Sequence, residues 1–365
     1  MLLKKTIAVV VPAYNEETQI GQVIETMPDF VDRIIVVNDC STDCTVEVIK
    51  QYIINDNSPP KKISNILNQV KPNQYNRASM LLQDLQKKEI NLYTLSEVFN
   101  SNENDRIVLI NLAKNDGVGA AIARGYKWAK DHGIDCTAVM AGDGQMDPGE
   151  LESICLPVVQ GEADYVKGNR LIHRSALLVI PKVRYFGNAI LSILTKVASG
   201  YWHVSDTQTG FTAISNKALN AIHIYKIYKN YGIPNDMLVK LNIVSCTIKE
   251  VEIKPVYSVG EKSKMKIAKV VPSVSWLLFR SFFRRLWHKY LFRDFHPLFL
   301  LYHFAFILFF ASVPFAVKII NVWLFQGEQL NPITFLAFIF LFISSFQSFM
   351  FAMWMDIQDN ERLQK

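Results

Sequence analysis

The sequence predicts an α/β fold with a mostly parallel sheet, followed by a C-terminal amphipathic segment and a two-helix transmembrane hairpin. Three observations carry this. Apolar runs alternate with helical patterns from the N-terminus, and strand–helix repetition produces a mostly parallel sheet with helices on both faces. Four of these runs end in polar clusters, "PAYNEE", "NDCSTD", "GDGQMDP" and "KGNR". Beyond about residue 270 the composition changes, and aromatic and aliphatic residues accumulate.

The first run, Thr6–Pro12, reads as a buried strand. The preceding "MLLKK" gives the terminus the look of a signal peptide, but the apolar core is short. It runs into Asn15, Glu16 and Glu17 without a small-residue cleavage site. Helical spacing follows at Ile20, Val23, Ile24 and Met27, then a second strand over Arg33–Asp39. "STDCTVEVIKQYI" predicts a helix with Ser41 or Thr42 as N-cap and Asp43 in the first turn. "RIVLINLA", "GVGAAIARGYKWAK" and "CTAVMA" continue the alternation. Residues 55–105 interrupt it with an Asn-, Gln- and Lys-rich insertion. Its apolar positions, Leu81, Leu82, Leu85 and then Leu92, Leu95, Val98 and Phe99, predict two short helices decorating the edge. The globular domain is expected to span residues 1–260.

Residues 261–295 form a basic loop and juxtamembrane segment. Trp276, Phe279, Phe283, Leu286 and Tyr290 fall on one helical stripe, and Arg280, Arg284, Arg285 and Lys289 on much of the rest. Such a helix suits a membrane interface. Within 296–356, Pro297–Val317 and Pro332–Met355 are the two predicted spans; at about 1.5 Å per residue the first covers roughly 31 Å, the thickness of a bilayer core. The link "FQGEQLN" carries no Lys or Arg, whereas basic residues precede the first span and follow the second. The positive-inside rule then places the domain, both termini and the 357–365 tail in the cytoplasm. The net charge of +6 owes much to Lys262–Arg293, which beside a membrane segment implies anionic lipid rather than nucleic acid. Five cysteines without a CxxC pair read as reduced thiols.

Ligands of open α/β sheets collect at the carboxyl ends of the strands, where the four polar clusters converge. "GDGQMDP" ends its strand in one carboxylate and one carboxamide, a lip built for a charged ligand, and Asp147 fits an Asx-turn ahead of Pro148. With these four motifs in order, the chain resembles a family 2 glycosyltransferase of the GT-A fold, in the branch of dolichol-phosphate mannose synthase and other polyprenyl-phosphate glycosyltransferases. The resemblance covers roughly residues 5–55 and 105–265. It implies that Pro12, Tyr14 and Glu16 line a nucleotide pocket and that Val37 and Asp39 hold the base. It further implies Ala141, Gly142 and Asp143 at the nucleotide sugar, Asp143 and Gln145 on Mg²⁺ or Mn²⁺, and Arg170 and Lys264 on phosphate. Asp206 and Gln208, in "SDTQTGFTAIS", are implied at the sugar or acceptor, although a loop cap is an equal reading of Asp206. Asp143, Arg170 and Asp206 are the implied catalytic set.

The sequence departs from the family pattern in three places. Ala141 stands where the first acid of an Asp-x-Asp triplet is usual, and Asn38 where the first of two aspartates is usual. No arginine occurs around Tyr257–Ser258. Because Mg²⁺ takes one or two carboxylates plus substrate phosphates, Asp143, the Gln145 carbonyl and a diphosphate suffice. The implied reaction is inverting transfer from a nucleotide sugar, UDP-linked, to a polyprenyl phosphate at the cytoplasmic face of the membrane. A phosphate acceptor needs no general base, whereas a hydroxyl acceptor would, with Asp236 available as base or as helix cap. Lys167, Arg170, Arg174, Lys182, Arg184 and Lys196 supply cations for an anionic lipid head. A transferase acting on a glycolipid or polysaccharide hydroxyl, and a non-catalytic membrane scaffold, are the alternatives. The sequence leaves room for a homo-oligomer.

Overall fold

The computed structural model describes residues 1–56, 73, 75–99, 105–180, 182–256, 267–326 and 329–365. Among these, eight strands form one sheet in the order β3-β4-β2-β1-β5-β7-β6-β8. Its centre is β1 (Ile7–Ala13), with β2 (Arg33–Asn38) and β5 (Cys136–Val139) parallel to it on either side; β4 (Ile107–Leu112) is parallel to β2. Side chains alternate between faces along a strand. Ile7, Val9 and Val11 therefore enter one core cluster, and Ala8 and Val10 the other. Ile34 and Val36 against Ile35 and Val37 repeat the pattern in β2. Burial on both faces is why these strands read as continuous apolar runs rather than alternating ones.

Helices α1 (Ile20–Glu25) and α2 (Thr45–Asn55) follow β1 and β2. The α2 helix starts later than its sequence predicts, with Cys44 rather than Ser41 or Thr42 at the N-cap. The Ser41 hydroxyl is used elsewhere, accepting from the backbone of Asn15 at 3.0 Å. In the insertion, α3 (Arg77–Glu89) is helical as expected, but the second predicted helix is replaced by a short 3₁₀ turn and the edge strand β3 (Ser96–Val98). β3 runs antiparallel to β4, and Phe99 N donates to Leu109 O at 2.9 Å. The open edge of β4 takes up this segment's backbone groups, with Ala113 N also donating to Leu95 O at 2.8 Å. The insertion also covers α4 (Val118–Asp131): Arg124 Nε donates to Ser96 Oγ at 2.8 Å, and Lys130 pairs with Glu89 at 3.5 Å.

After β5 come α5 (Leu151–Val159), β6 (Tyr165–Asn169), α6 (Ala176–Val179), α7 (Lys182–Ser199), β7 (Thr212–Ser215), α8 (Asn216–Ala221), α9 (Ile233–Ile243) and β8 (Ile248–Glu252). β7 is antiparallel to both β5 and β6. Residues entering β7 therefore lie on the same rim as residues leaving β5 and β6, which brings Asp206 beside Arg170.

The C-terminal third is α10 (Ile267–Trp287), a π-helical turn over His288–Arg293, α11 (Pro297–Asn321) and α12 (Pro332–Glu361). The α11 axis with its following turn (Pro297–Leu324) and α12 are each long and apolar enough to cross a membrane, and the apolar windows of these two helices are only 28% and 11% buried. A core helix of a soluble protein would be mostly enclosed. Here Phe304, Ile307, Phe310, Leu336 and Phe340 face outward. α7, α9, α10, α11 and α12 share a third core cluster that includes Leu278, Phe282, Leu286, Tyr302 and Ala352.

Two expectations for this region are corrected. The amphipathic stripe is split: Trp276 and Phe279 are exposed, but Leu286 and Tyr290 turn into the core, and Arg285 and Lys289 of the basic face are buried as well. They are drawn inward by carboxylates at the end of α12. That helix runs past the predicted end at Met355 to Glu361. Leu363 is buried in the main core, and Gln364 forms a parallel bridge with Ile248 at the edge of β8.

Candidate active site

The rim is assembled from loops that satisfy one another. After β1, Asn15 adopts a left-handed backbone (φ 53°) and Cys40 after β2 does the same (φ 60°). Asparagine tolerates this region because its side chain bonds locally; here Asn15 Oδ1 accepts from Thr42 N at 2.8 Å. Glu16 N donates to Thr45 Oγ1 at 2.9 Å, and Cys44 N to Glu17 Oε2 at 3.0 Å. Asn38 donates from Nδ2 to Asn111 Oδ1 at 3.0 Å and accepts from Ser41 N at 3.0 Å. Replacement of the usual aspartate by Asn38 thus supplies a donor to a neighbouring amide, which a carboxylate cannot do.

Asp39 is buried, and its two oxygens accept from Asp116 N at 2.8 Å and Gly117 N at 2.9 Å. Burial pushes its carboxyl above the usual range, and the two backbone N–H groups pull the other way. Gly117 has φ 93°, and a Cβ there would lie 2.4 Å from Lys229 O, so only glycine fits. Asp116 is in turn bonded by Thr94 and Lys229. Each Asp39 oxygen keeps a second lone-pair direction for a ring N–H. The Val37 side chain is fully buried in the core beneath the rim, below Asp39.

Pro12, Tyr14 and Glu16 are all partly exposed at the mouth. Pro12 is in register with Val37, and its carbonyl accepts from Gly142 N at 3.3 Å, which seats the β5 loop against the end of β1. In that loop Ala141 N donates to Met146 Sδ at 3.2 Å, and Asp143 Oδ1 accepts from Gln145 N at 3.0 Å. Asp147 makes the analogous turn, accepting from Gly149 N at 2.8 Å ahead of Pro148, as its sequence predicts. Among the described residues, no group of three or more His, Cys, Asp or Glu side chains could hold a metal. A divalent ion at Asp143 would therefore complete its shell with donor phosphates, a mode suited to Mg²⁺ or Mn²⁺.

Across the rim, Arg170 grips Asp206 with both arms of its guanidinium, Nε to Oδ2 at 2.8 Å and Nη2 to Oδ1 at 3.1 Å. Asp206 is 1% exposed and also accepts from Gln208 N and Thr209 N, both at 3.2 Å. Burial acts to raise its carboxyl, but the Arg170 charge and hydrogen bonds, with Lys167 behind, hold it below the usual range. Asp206 is thus both a loop cap and half of an ion pair. Gln208 donates to Thr207 Oγ1 at 2.8 Å and Asn235 Oδ1 at 3.1 Å. Glu250 of β8 supports the segment from below, accepting from Ser205 N at 3.0 Å and Asp206 N at 3.1 Å. A Cβ at Gly210 would sit 3.5 Å from Met146 Cε, so this segment adjoins the Asp143 loop.

Other expected cations are placed differently. "KGNR" does not follow β6; Lys167–Asn169 lie within it, and only Arg170 passes its end. Lys167 is fully buried, donating to Thr209 O, and burial lowers it to about 8 despite Asp206 and Glu250. Arg174 is exposed. Asp236 neither caps α9 nor stands ready as a base, since Lys240 and Arg284 both pair with it at 2% exposure. Lys264 lies outside the described residues. Sequence reasoning missed Glu250 and Lys167 as supports of Asp206; a lysine interrupting the buried strand β6 was the available signal, and nothing in the half-buried β8 marked Glu250.

A mostly parallel sheet whose strand ends gather Asp143, the buried Asp39 and an arginine–aspartate pair fits the GT-A architecture that the sequence implies. The chain belongs to glycosyl transferase family 2, whose model matches residues 8–81 and 92–222. It is 28% identical over 255 residues to the UDP-N-acetylglucosamine–dolichyl-phosphate N-acetylglucosaminyltransferase of Methanococcus voltae, covering 70% of this chain and 87% of the relative. It is 27% identical over 164 residues to the undecaprenyl-phosphate mannosyltransferase of Micrococcus luteus, covering 45% and 66%. The solved glucosyl-3-phosphoglycerate synthase of Mycobacterium tuberculosis, in complex with Mn²⁺, uridine diphosphate and glucosyl-3-phosphoglycerate, is similar over 77% of this chain and 80% of that chain, at 16% identity and a TM-score of 0.46.

Proposed function

We propose that this glycosyltransferase moves a sugar from a UDP-linked donor to a polyprenyl phosphate at the cytoplasmic face of a membrane, with inversion at the anomeric carbon. The Arg170–Asp206 pair is the observation that carries this reading. A hydroxyl acceptor must lose its proton as it attacks, so it needs a base. The acid on this side of the rim is held below the usual carboxylate range by an arginine, which makes it a poor base. Asp236, the other acid considered for that task, is buried between two cations. A phosphate monoester, with a second pKa of about 6, is already largely anionic near neutrality and needs none. Its oxygen forms the new bond to the anomeric carbon, the bond to the donor's β-phosphate oxygen breaks, and UDP leaves with the electron pair.

In this reading Asp39 and the β1 loop receive the nucleotide. Asp143, with the Gln145 carbonyl, would hold a divalent ion, which when bound would supply charge stabilisation to a departing diphosphate. Arg170 faces the anionic groups while Asp206 fixes its plane, a bidentate geometry that lysine cannot reproduce. The anchor supports a lipid-borne acceptor, because the end of α12 is bonded to the catalytic domain through Asn360 and Gln364. Relatives named for dolichyl and undecaprenyl phosphate agree with it.

Purified protein given radiolabelled nucleotide sugars, Mg²⁺ and polyprenyl phosphate should form a chloroform-soluble, mild-acid-labile sugar lipid. Folded protein that yields no such product with any common donor would refute the assignment.

A further inference from the structure

Asp206 is held from an unexpected direction. The segment that presents it, Ser199 to Asp206, leaves α7 and meets the end of the membrane anchor at Gly200 and His203. Arg285 is fully buried; it donates to Ala198 O at 3.0 Å and Val197 O at 3.1 Å, and to both oxygens of Asp356 in α12 at 2.7 Å. Gly200 has φ 78°, and a Cβ there would come within 2.5 Å of Arg285 Nη1 and 3.1 Å of Asn360 Nδ2. The turn therefore lies flat against the Arg285–Asn360 layer. Asn360, also fully buried, accepts from Asn242 Nδ2 of α9 at 2.7 Å.

The last residues of the chain then reach the segment itself. His203 N donates to Gln364 Oε1 at 2.8 Å, three residues before Asp206. Ile248 N donates to Leu363 O at 2.8 Å and Lys365 N to Ile248 O at 3.0 Å, pairing the tail with the start of β8. That strand carries Glu250, which accepts from Ser205 N and Asp206 N. Two short paths thus run from the anchor to Asp206, one through Gln364 and His203, the other through the tail–β8 pairing and Glu250.

We infer that Gln364 is a positioning residue, and that the tail through which the anchor ends sets the placement of the Asp206–Arg170 pair. The inference rests on the reading of that pair as part of the acceptor site. It explains why a membrane helix continues two turns beyond its apolar stretch to end on a sheet edge. An edge strand can be blunted by a charge or a proline at little cost; pairing it with the end of the anchor makes the geometry of the site depend on the anchor being docked.

The test uses the full-length protein in lipid nanodiscs, with a radiolabelled UDP-sugar and polyprenyl phosphate as substrates and UDP with Mg²⁺ as the binding probe. Gln364→Ala removes one hydrogen bond to the segment and should lower kcat by about three- to tenfold. Donor KM, UDP affinity and Tm should stay at parental values, because the β1–β2 half of the rim is untouched. Gln364→Glu should restore kcat. It keeps the acceptor oxygen, and the Gln364 Nε2 it replaces has no hydrogen-bond partner. Parental kcat in Gln364→Ala, beside an inactive Asp206→Asn, would overturn the inference. Equal losses in Gln364→Ala and Gln364→Glu with a lowered Tm would do the same, since the tail would then be acting on stability alone. Full turnover in Asp206→Asn would instead overturn the reading of the site.

Discussion

Around Tyr14, Asn38 and Asp39 the rim is held by side chains bonded to backbone groups of the adjoining loop. Around Asp206 it is held by Arg170 and Glu250, and the chain leading to it is braced against the anchor at Ala198 and His203. The first half is bonded within the catalytic domain: Asn15 meets Ser41 and Thr42, and Asp39 meets Asp116 and Gly117. The second half is braced by the C-terminal helices: Arg285 bonds Ala198 O and Asp356, and Gln364 meets His203. Bonds within the domain leave the Asp39 side of the rim independent of the anchor, whereas bonds to the anchor tie the Asp206 side to it, which suits the proposed lipid-borne acceptor.

The comparison breaks most readily at Asp356. Removing one member of a fully buried ion pair leaves an uncompensated charge and costs about 3–5 kcal/mol. Asp356→Ala should therefore lower stability by that amount in denaturant titration, and loosen the α7–β7 segment while UDP still binds. Equal loss of UDP binding would show that the two halves are not separable. Next comes Asp143→Ala. If this side chain holds the ion on the diphosphate, turnover should drop by about 10²–10³-fold, comparable to loss of one preorganised electrostatic group, while stability falls by only about 1 kcal/mol, that of the lost turn bond. Near-parental activity would remove the metal assignment.

Lys167 sharpens the comparison through pH. Its ordinary value of 10.5 is lowered to about 8 in the fold by burial. Between those values the unfolded chain keeps a proton that the folded chain has lost, so stability rises with pH across that window. Below about pH 8 both states are protonated and the full cost of burying the charge is present. The rise attributable to Lys167 is about 3 kcal/mol at most. Lys167→Met should flatten that slope in denaturation measured at a series of alkaline pH values; an unaltered slope would assign the rise to other groups.

The same division governs what is legible in the sequence. β1, β2, β4 and β5 announce themselves because both faces are buried, and their polar ends mark the rim. The Asx-turn at Asp147 is visible because its parts lie within three residues. Nothing local marks the antiparallel insertion of β7, yet that reversal is what brings Asp206 to Arg170. Arg285 and Lys289 look like an interfacial basic face because periodicity shows which residues share a stripe but not what lies opposite. Their partners, Asp356, Asp359 and Asn360, follow an apolar run that reads as finished at Met355. The tail pairing with β8 is equally hidden, since three residues have no pattern of their own.

The smallest expected effect separates two aspartates that look alike. Asp143 and Asp147 each accept from the backbone N–H two residues on, at 3.0 Å and 2.8 Å. If the turn were the whole job of both, replacing either would cost stability and nothing else. Asp147 is half-exposed beside Lys254 at 3.8 Å and caps the 3₁₀ turn before α5, so Asp147→Ala should cost about 1 kcal/mol, typical of a lost cap. Its kcat should stay parental. Asp143→Asn keeps a turn-forming oxygen and the side-chain shape but removes the charge. Parental Tm with lost turnover in that variant would show that the carboxylate is needed for its charge, even where Ala141 replaces the usual first acid. Parental turnover in Asp143→Asn, or an equal loss in Asp147→Ala, would reduce the lip to a turn and move the metal site elsewhere on the rim.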